Sequence, residues 1–197
     1  MADFTSIAAV GSSLERYLNL CFEERPPIVG QVTRAQLVRT EDIDKGAAVP
    51  VARPSLSLYL YRVDFNKTMR AAWSGVAYHD GESHLPLDLH FLFIAWADNA
   101  DYEYRITGRA MQCMENTPIL TGPLLDPITN WSTGDAVQVC LEDIPTQDVM
   151  HIFDSLPLDY KLSIPYVARV VVMSGQQIRQ AQPVTQQITR VKTGGVK

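Results

Sequence analysis

The segment formed by residues 87–96 constrains the fold more than any other part of the chain. Its odd-numbered residues are all apolar, and its even-numbered residues change from polar (Asp88 and His90) to large and apolar. Strict alternation over this length predicts a β-strand. A strand whose second half is apolar on both faces is usually covered on both sides. We therefore expect a central strand with structure packed on each face of its sheet.

The same criteria predict further strands and three helices. The predicted strands are residues 36–39, 56–65, 136–141 and 162–173, and the predicted helices are residues 4–22, 102–116 and 147–155. Thr5 or Ser6 is expected to cap the first helix, and Asn99 or Asp101 the second. This succession indicates an α+β fold, with a mostly antiparallel sheet of four to five strands flanked by two to three helices.

Two long connections, residues 66–86 and 117–135, separate these elements. They contain Trp73 and Trp131, at positions where no periodicity requires burial. An aromatic side chain on a loop can anchor a protein–protein contact. We treat both as candidate partner-binding residues, with packing over the sheet as the alternative.

The chain carries its charge unevenly. Its net charge is −5, but residues 176–197 contain four basic residues and no acid, so the rest of the chain carries −9. An acidic body does not attract nucleic acid over a broad face. The basic segment has the composition of an arm for a neighbouring subunit or an acidic protein partner. Its candidate contact residues are Arg179, Val184, Ile188, Arg190 and Lys192.

Length and cysteine content further limit the class of protein to which the chain can belong. The 197 residues predict one domain, residues 1–175, followed by the Gln-rich arm, residues 176–197. No apolar run is long enough to span a bilayer, and the N-terminus does not resemble a secretory signal. Cys21, Cys113 and Cys140 are too few and scattered for a disulfide framework or a zinc site, so we expect small core residues in a reducing compartment.

A search for catalytic motifs leaves one weak candidate. The segment His79, Asp80, Glu82 and His84, followed by Asp88 and His90, contains residue types that hold divalent metals. The first four residues lie on a glycine-containing loop, which does not fix ligand geometry, and two ligands on a strand do not close a site. The expectation is therefore no catalytic residue, no metal and no cofactor. A small metal-dependent hydrolase or metal-binding protein is the alternative.

The ordered segments resemble a known family. They are "LDLHFLF" (residues 87–93) followed by "RITGRAMQCMENTPILTG" (105–122), and "FDSL" (153–156) followed by "LSIPYVARVVVMS" (162–174). In this succession they are similar to the N-terminal domain of cap, or tail-terminator, proteins of extracellular contractile injection systems. These systems are phage-tail-like particles of the antifeeding-prophage and virulence-cassette type.

The resemblance implies a mechanical function and not an enzymatic one. A cap of this family is expected to form a homohexameric ring that ends the inner tube and contacts the last sheath layer. Its implied partners are therefore copies of itself, the tube protein and the sheath protein, with neither nucleic acid nor direct membrane contact. The implied location is the bacterial cytoplasm during assembly, in a particle that is later either released or anchored. An adaptor that uses the arm as a tether is a further alternative.

Overall fold

The computed structural model describes residues 3–43, 51–69 and 84–174, whose strands form one six-stranded sheet. The strands are β1 (Arg34–Val38), β2 (Ser55–Phe65), β3 (His84–Trp96), β4 (Ile119–Thr121), β5 (Ala136–Leu141) and β6 (Ser163–Ser174). Their order across the sheet is β1-β2-β3-β6-β5-β4. β1 and β2 run parallel, and the other neighbouring pairs are antiparallel. The predicted mostly antiparallel sheet is confirmed, with six strands in place of four or five.

The α-helices with both ends in the described ranges are α1 (Ser6–Glu24), α2 (Thr40–Ile43), α3 (Ala100–Asn116) and α4 (Thr146–Asp154). The three predicted helices are confirmed, with ends that differ by one or two residues. Sequence reasoning missed the single turn of α2 and the three residues of β4. Neither element is long enough to show a periodicity, and β4 forms because its backbone pairs with β5.

The predicted central position of β3 is confirmed, and it divides the interior into two clusters. Phe91 and Phe93 lie in the main core, which packs α1 and α3 against one face of the sheet. Leu92 and Ile94 lie in a second core on the opposite face, with residues of α2 and α4. All four side chains are at most 1% exposed. The apolar second half of β3 is therefore covered on both sides, as its sequence requires.

Helix α1 packs through a stripe that contains Val10, Leu14 and Leu18, each fully buried. The prediction that Thr5 or Ser6 caps this helix is wrong. Thr5 occupies the N-cap position in a helical conformation, and its side chain makes no capping bond. The Asp3 carboxylate instead accepts the Thr5 backbone N–H at 2.8 Å.

Helix α3 begins as predicted, because the Asn99 side chain accepts the Tyr102 backbone N–H at 2.9 Å. The Tyr17 hydroxyl donates to the Cys113 carbonyl at 2.8 Å and links α1 to α3.

The cysteines are small residues in or near the core. Burial raises the pKa of the Cys113 thiol to about 12. Cys113 is fully buried, whereas Cys21 and Cys140 are half-buried, and all three thiols are free.

Candidate interaction surfaces

The polar half of β3 lies on the same face as the second core. Asp88 and His90 share this face, as predicted, and stand opposite Asp64 and Arg62 of β2. The Asn66 amide donates to both oxygens of Asp88, at 3.0 and 3.2 Å. Asp64, Asn66, Asp88 and His90 line part of an open cleft of about 530 Å³ at the end of β2.

Five side chains form a hydrogen-bonded group here, which we call the His90 cluster: Tyr61, Arg62, Asp64, His90 and Glu142. His90 Nδ1 lies 2.9 Å from Glu142 and Nε2 lies 3.4 Å from Asp64. Arg62 makes 3.0 Å ion pairs with both carboxylates. The Tyr61 hydroxyl donates to Glu142 at 2.8 Å. Burial, followed by this bond to Glu142, raises the pKa of Tyr61. The cluster joins β2 and β3 to the residue that follows β5.

The His90 cluster is arranged for cross-linking the sheet. Its two carboxylates lie on opposite sides of the imidazole, and both are paired with Arg62. Within residues 3–43, 51–69 and 84–174, no three His, Cys, Asp or Glu side chains form a group that could hold a metal ion. His79, Asp80 and Glu82 of the predicted alternative lie outside the described residues.

Most of the candidate partner-binding residues also lie outside the described ranges. They are Trp73, Arg179, Val184, Ile188, Arg190 and Lys192. Trp131 is described, and its half-buried ring packs against the main core. Its indole N–H donates to the Asp126 carbonyl at 2.7 Å, which fixes the loop that carries it. Its role in partner binding stays a prediction.

The edge of β1 is closed by two side chains of α1, four residues apart. The Asn19 amide donates to the Ala35 carbonyl at 3.0 Å, and its oxygen accepts the Ala35 N–H at 2.9 Å. Glu15 accepts the Leu37 backbone N–H. Burial raises the pKa of Glu15, and this bond opposes the shift. Asn19 therefore pairs both backbone groups of Ala35 that the edge strand would otherwise leave without a ladder partner.

Strands β3 and β6 extend beyond their neighbours as a two-stranded ribbon. The ladder between β5 and β6 ends at the pair Gln138 and Arg169. β6 continues through residues 170–174, and its pairing with β3 continues to His84 and Ser174. Among the described strands, none pairs with residues 170–174 on the side away from β3. We call this side the β6 edge.

No helix in the described part of the chain is long and apolar enough to cross a membrane. The elements described so far define an α+β fold, and this fold is similar to that of a solved protein. That protein is the sheath/tube terminator of the PVC extracellular contractile injection system in its extended state, at 17% identity and a TM-score of 0.57. The match covers 96% of this chain and 64% of that one, so the chain spans less than two thirds of that protein.

The family follows from the sequence. Residues 9–187 match the family described as the Pvc16 N-terminal domain, and the chain belongs to that family. A second solved structure, the tube-terminating cap of the anti-feeding prophage, matches at 16% identity and a TM-score of 0.49, over 94% of this chain and 60% of that one. No curated protein sequence matches the chain.

Proposed function

We propose that the chain is the structural cap, or tail terminator, of a phage-tail-like contractile injection system. It ends growth of the inner tube and contacts the last layer of the sheath, without making or breaking covalent bonds. The observation that carries this proposal is the family match over residues 9–187. The fold that it shares with a sheath/tube terminator supports the same conclusion.

The cap acts as a closed ring of identical subunits, six in number to match the symmetry of tube and sheath. A ring requires a heterologous contact, in which two different surfaces of each subunit meet. The chain has such unlike surfaces, because the β1 edge is closed by Asn19 and Glu15 whereas the β6 edge is not paired within the described residues.

The arm, residues 176–197, reaches a neighbouring chain and contributes Arg179, Val184, Ile188, Arg190 and Lys192 to the contact. The arm carries a charge of +4 and the rest of each chain carries −9, so electrostatic attraction favours association of the arm with a neighbouring subunit. Trp73 and Trp131 add contacts from the two long connections. The ring assembles with tube and sheath in the bacterial cytoplasm.

Electron microscopy tests the proposal. Negative-stain images of the purified protein should show rings, and particles made without the chain should carry tubes of uncontrolled length. Restoring the chain should restore a narrow length distribution. Monomers together with unchanged tube lengths would refute the cap. Calorimetric titration with zinc or manganese tests the metal-binding alternative, which predicts saturable, stoichiometric binding that is lost in a His79→Ala, His84→Ala variant.

A further inference from the structure

Two of the three cysteines lie together where α1 and α3 end. Cys21 is in the last turn of α1, and Cys113 is in the last turn of α3, 92 positions later in the chain. Cys113 is a fully buried member of the main core, and the half-buried Cys21 packs against the same core. The fold therefore places both thiols in one region of the interior.

A reciprocal pair of hydrogen bonds holds the two helix ends together. The Tyr17 hydroxyl, one turn before Cys21, donates to the backbone carbonyl of Cys113 at 2.8 Å. The Arg109 guanidinium, one turn before Cys113, donates to the backbone carbonyl of Cys21 at 2.8 Å. Residues four apart lie on the same face of a helix. These bonds therefore set the two cysteines on the facing sides of α1 and α3.

The thiols of Cys21 and Cys113 interact with each other. Burial, followed by a side-chain hydrogen bond with Cys21, raises the pKa of the Cys113 thiol. Cys140 lies apart from this pair. It follows Val139, which belongs to the main core, so the Cys140 side chain points to the face of the sheet opposite α1 and α3. The structure thus selects one pair from the three cysteines.

We propose that Cys21 and Cys113 form a reversible disulfide that links α1 to α3. Cys21 reacts first, because it is the more exposed of the two thiols. Its thiolate attacks one sulfur of a low-molecular-weight disulfide, such as oxidised glutathione, and one thiol leaves. The Cys113 thiolate then attacks the Cys21 sulfur, which forms the bond between the helices and releases the second thiol. The two cysteines lose two electrons and two protons, and the oxidant takes up both.

The disulfide joins the two helices that pack on the main core. It closes a long loop of the chain, which restricts the unfolded state more than the folded state. It also fixes α1 two residues from Asn19, whose side chain closes the β1 edge. This inference goes beyond the proposed cap function, and only its timing rests on that proposal. Thiols stay reduced in the cytoplasm, where the ring is proposed to assemble, so the bond forms when the particle meets an oxidising medium.

Thiol–disulfide equilibration of the full-length chain tests the pairing. The Cys140→Ser variant, which keeps these two thiols alone, is equilibrated with reduced and oxidised glutathione, alkylated and digested. Mass spectrometry should identify one pair of peptides joined through Cys21 and Cys113, and reduction should separate them. The equilibrium constant for this bond should be at least about tenfold larger in native buffer than in concentrated urea, because the fold holds the thiols together. A Cys21→Ser, Cys140→Ser chain is the control and should form no such pair.

Two results would overturn the inference. One is a Cys113 thiol that stays reduced at every glutathione ratio, with or without a mixed disulfide at Cys21. Alkaline buffer is included in this measurement, because the raised pKa of Cys113 slows its attack at neutral pH. The other is an equilibrium constant no larger in native buffer than in urea, which would show that the fold does not favour the bond. Neither result bears on the cap function, which ring images and tube lengths test separately.

Discussion

Replacing Asn19 with alanine removes the side chain that closes the β1 edge. Asn19 makes one bond to the Ala35 N–H and one to the Ala35 carbonyl, at 2.9 and 3.0 Å. Ala35 is 2% exposed, so water cannot readily replace either partner. Each bond contributes about 0.5–1.5 kcal/mol, which gives a loss of about 1–3 kcal/mol. The higher helix propensity of alanine returns about 0.6 kcal/mol.

The free energy of unfolding should therefore fall by about 0.4–2.4 kcal/mol, measured by urea denaturation monitored by circular dichroism. Glu23→Ala is the control, because Glu23 is exposed on the same helix; its gain in helix propensity is smaller, since glutamate is already a good helix former. The uncovered β1 edge should also increase concentration-dependent association in sedimentation experiments. If Asn19→Ala and Glu23→Ala unfold within about 0.3 kcal/mol of each other, the reasoning about the closed edge is wrong.

Three further expectations follow from the core, the His90 cluster and the buried titratable groups. Phe93→Ala should lower the free energy of unfolding by about 3–5 kcal/mol, whereas Phe65→Ala, at a half-exposed position, should change it by less than about 1 kcal/mol. Glu142→Ala should cost about 1–3 kcal/mol, since it removes the common partner of the cluster, and Glu142→Gln should cost less because it keeps the shape of the side chain; equal losses would show that the charge of Glu142 and not its shape matters there. Burial raises the pKa values of Cys113 and Tyr166 to about 12, so the folded state holds these protons more tightly than the unfolded chain. Stability from these groups should be full below pH 9 and should be lost as the pH rises towards about 12. A free energy of unfolding that increased over that interval would contradict their burial.

The alternation in residues 87–96 was sufficient to predict the central strand, because the two faces of a strand can be read directly from neighbouring residues. The stripe on α1 and the Asn99 cap of α3 were predictable for the same reason, since their partners lie within a few residues. The cap of α1 was not predictable from the neighbouring residues. Asp3 takes the role expected of Thr5 because Thr5 already has a helical conformation, which the composition of the segment does not reveal.

The candidate surfaces also include one that the sequence predicts and one that it does not. The arm was visible in the sequence as a segment with four basic residues and no acid, and the family was visible in the succession of strand and helix segments. The polar residues that the fold actually brings together were missed as a group. Glu142 lies 52 residues from His90, and no local pattern connects them.

The α+β class, the position of β3 and the family can be read from the amino-acid sequence, because these depend on local periodicity and on the order of segments. Which sheet edges are closed can be seen only in the assembled sheet. That outcome depends on strand lengths and on long-range pairing: α1 reaches the backbone of β1 through Asn19, while β6 extends five residues beyond its ladder with β5. Backbone hydrogen bonds carry no sequence signature, so an open edge becomes visible only when the strands are assembled.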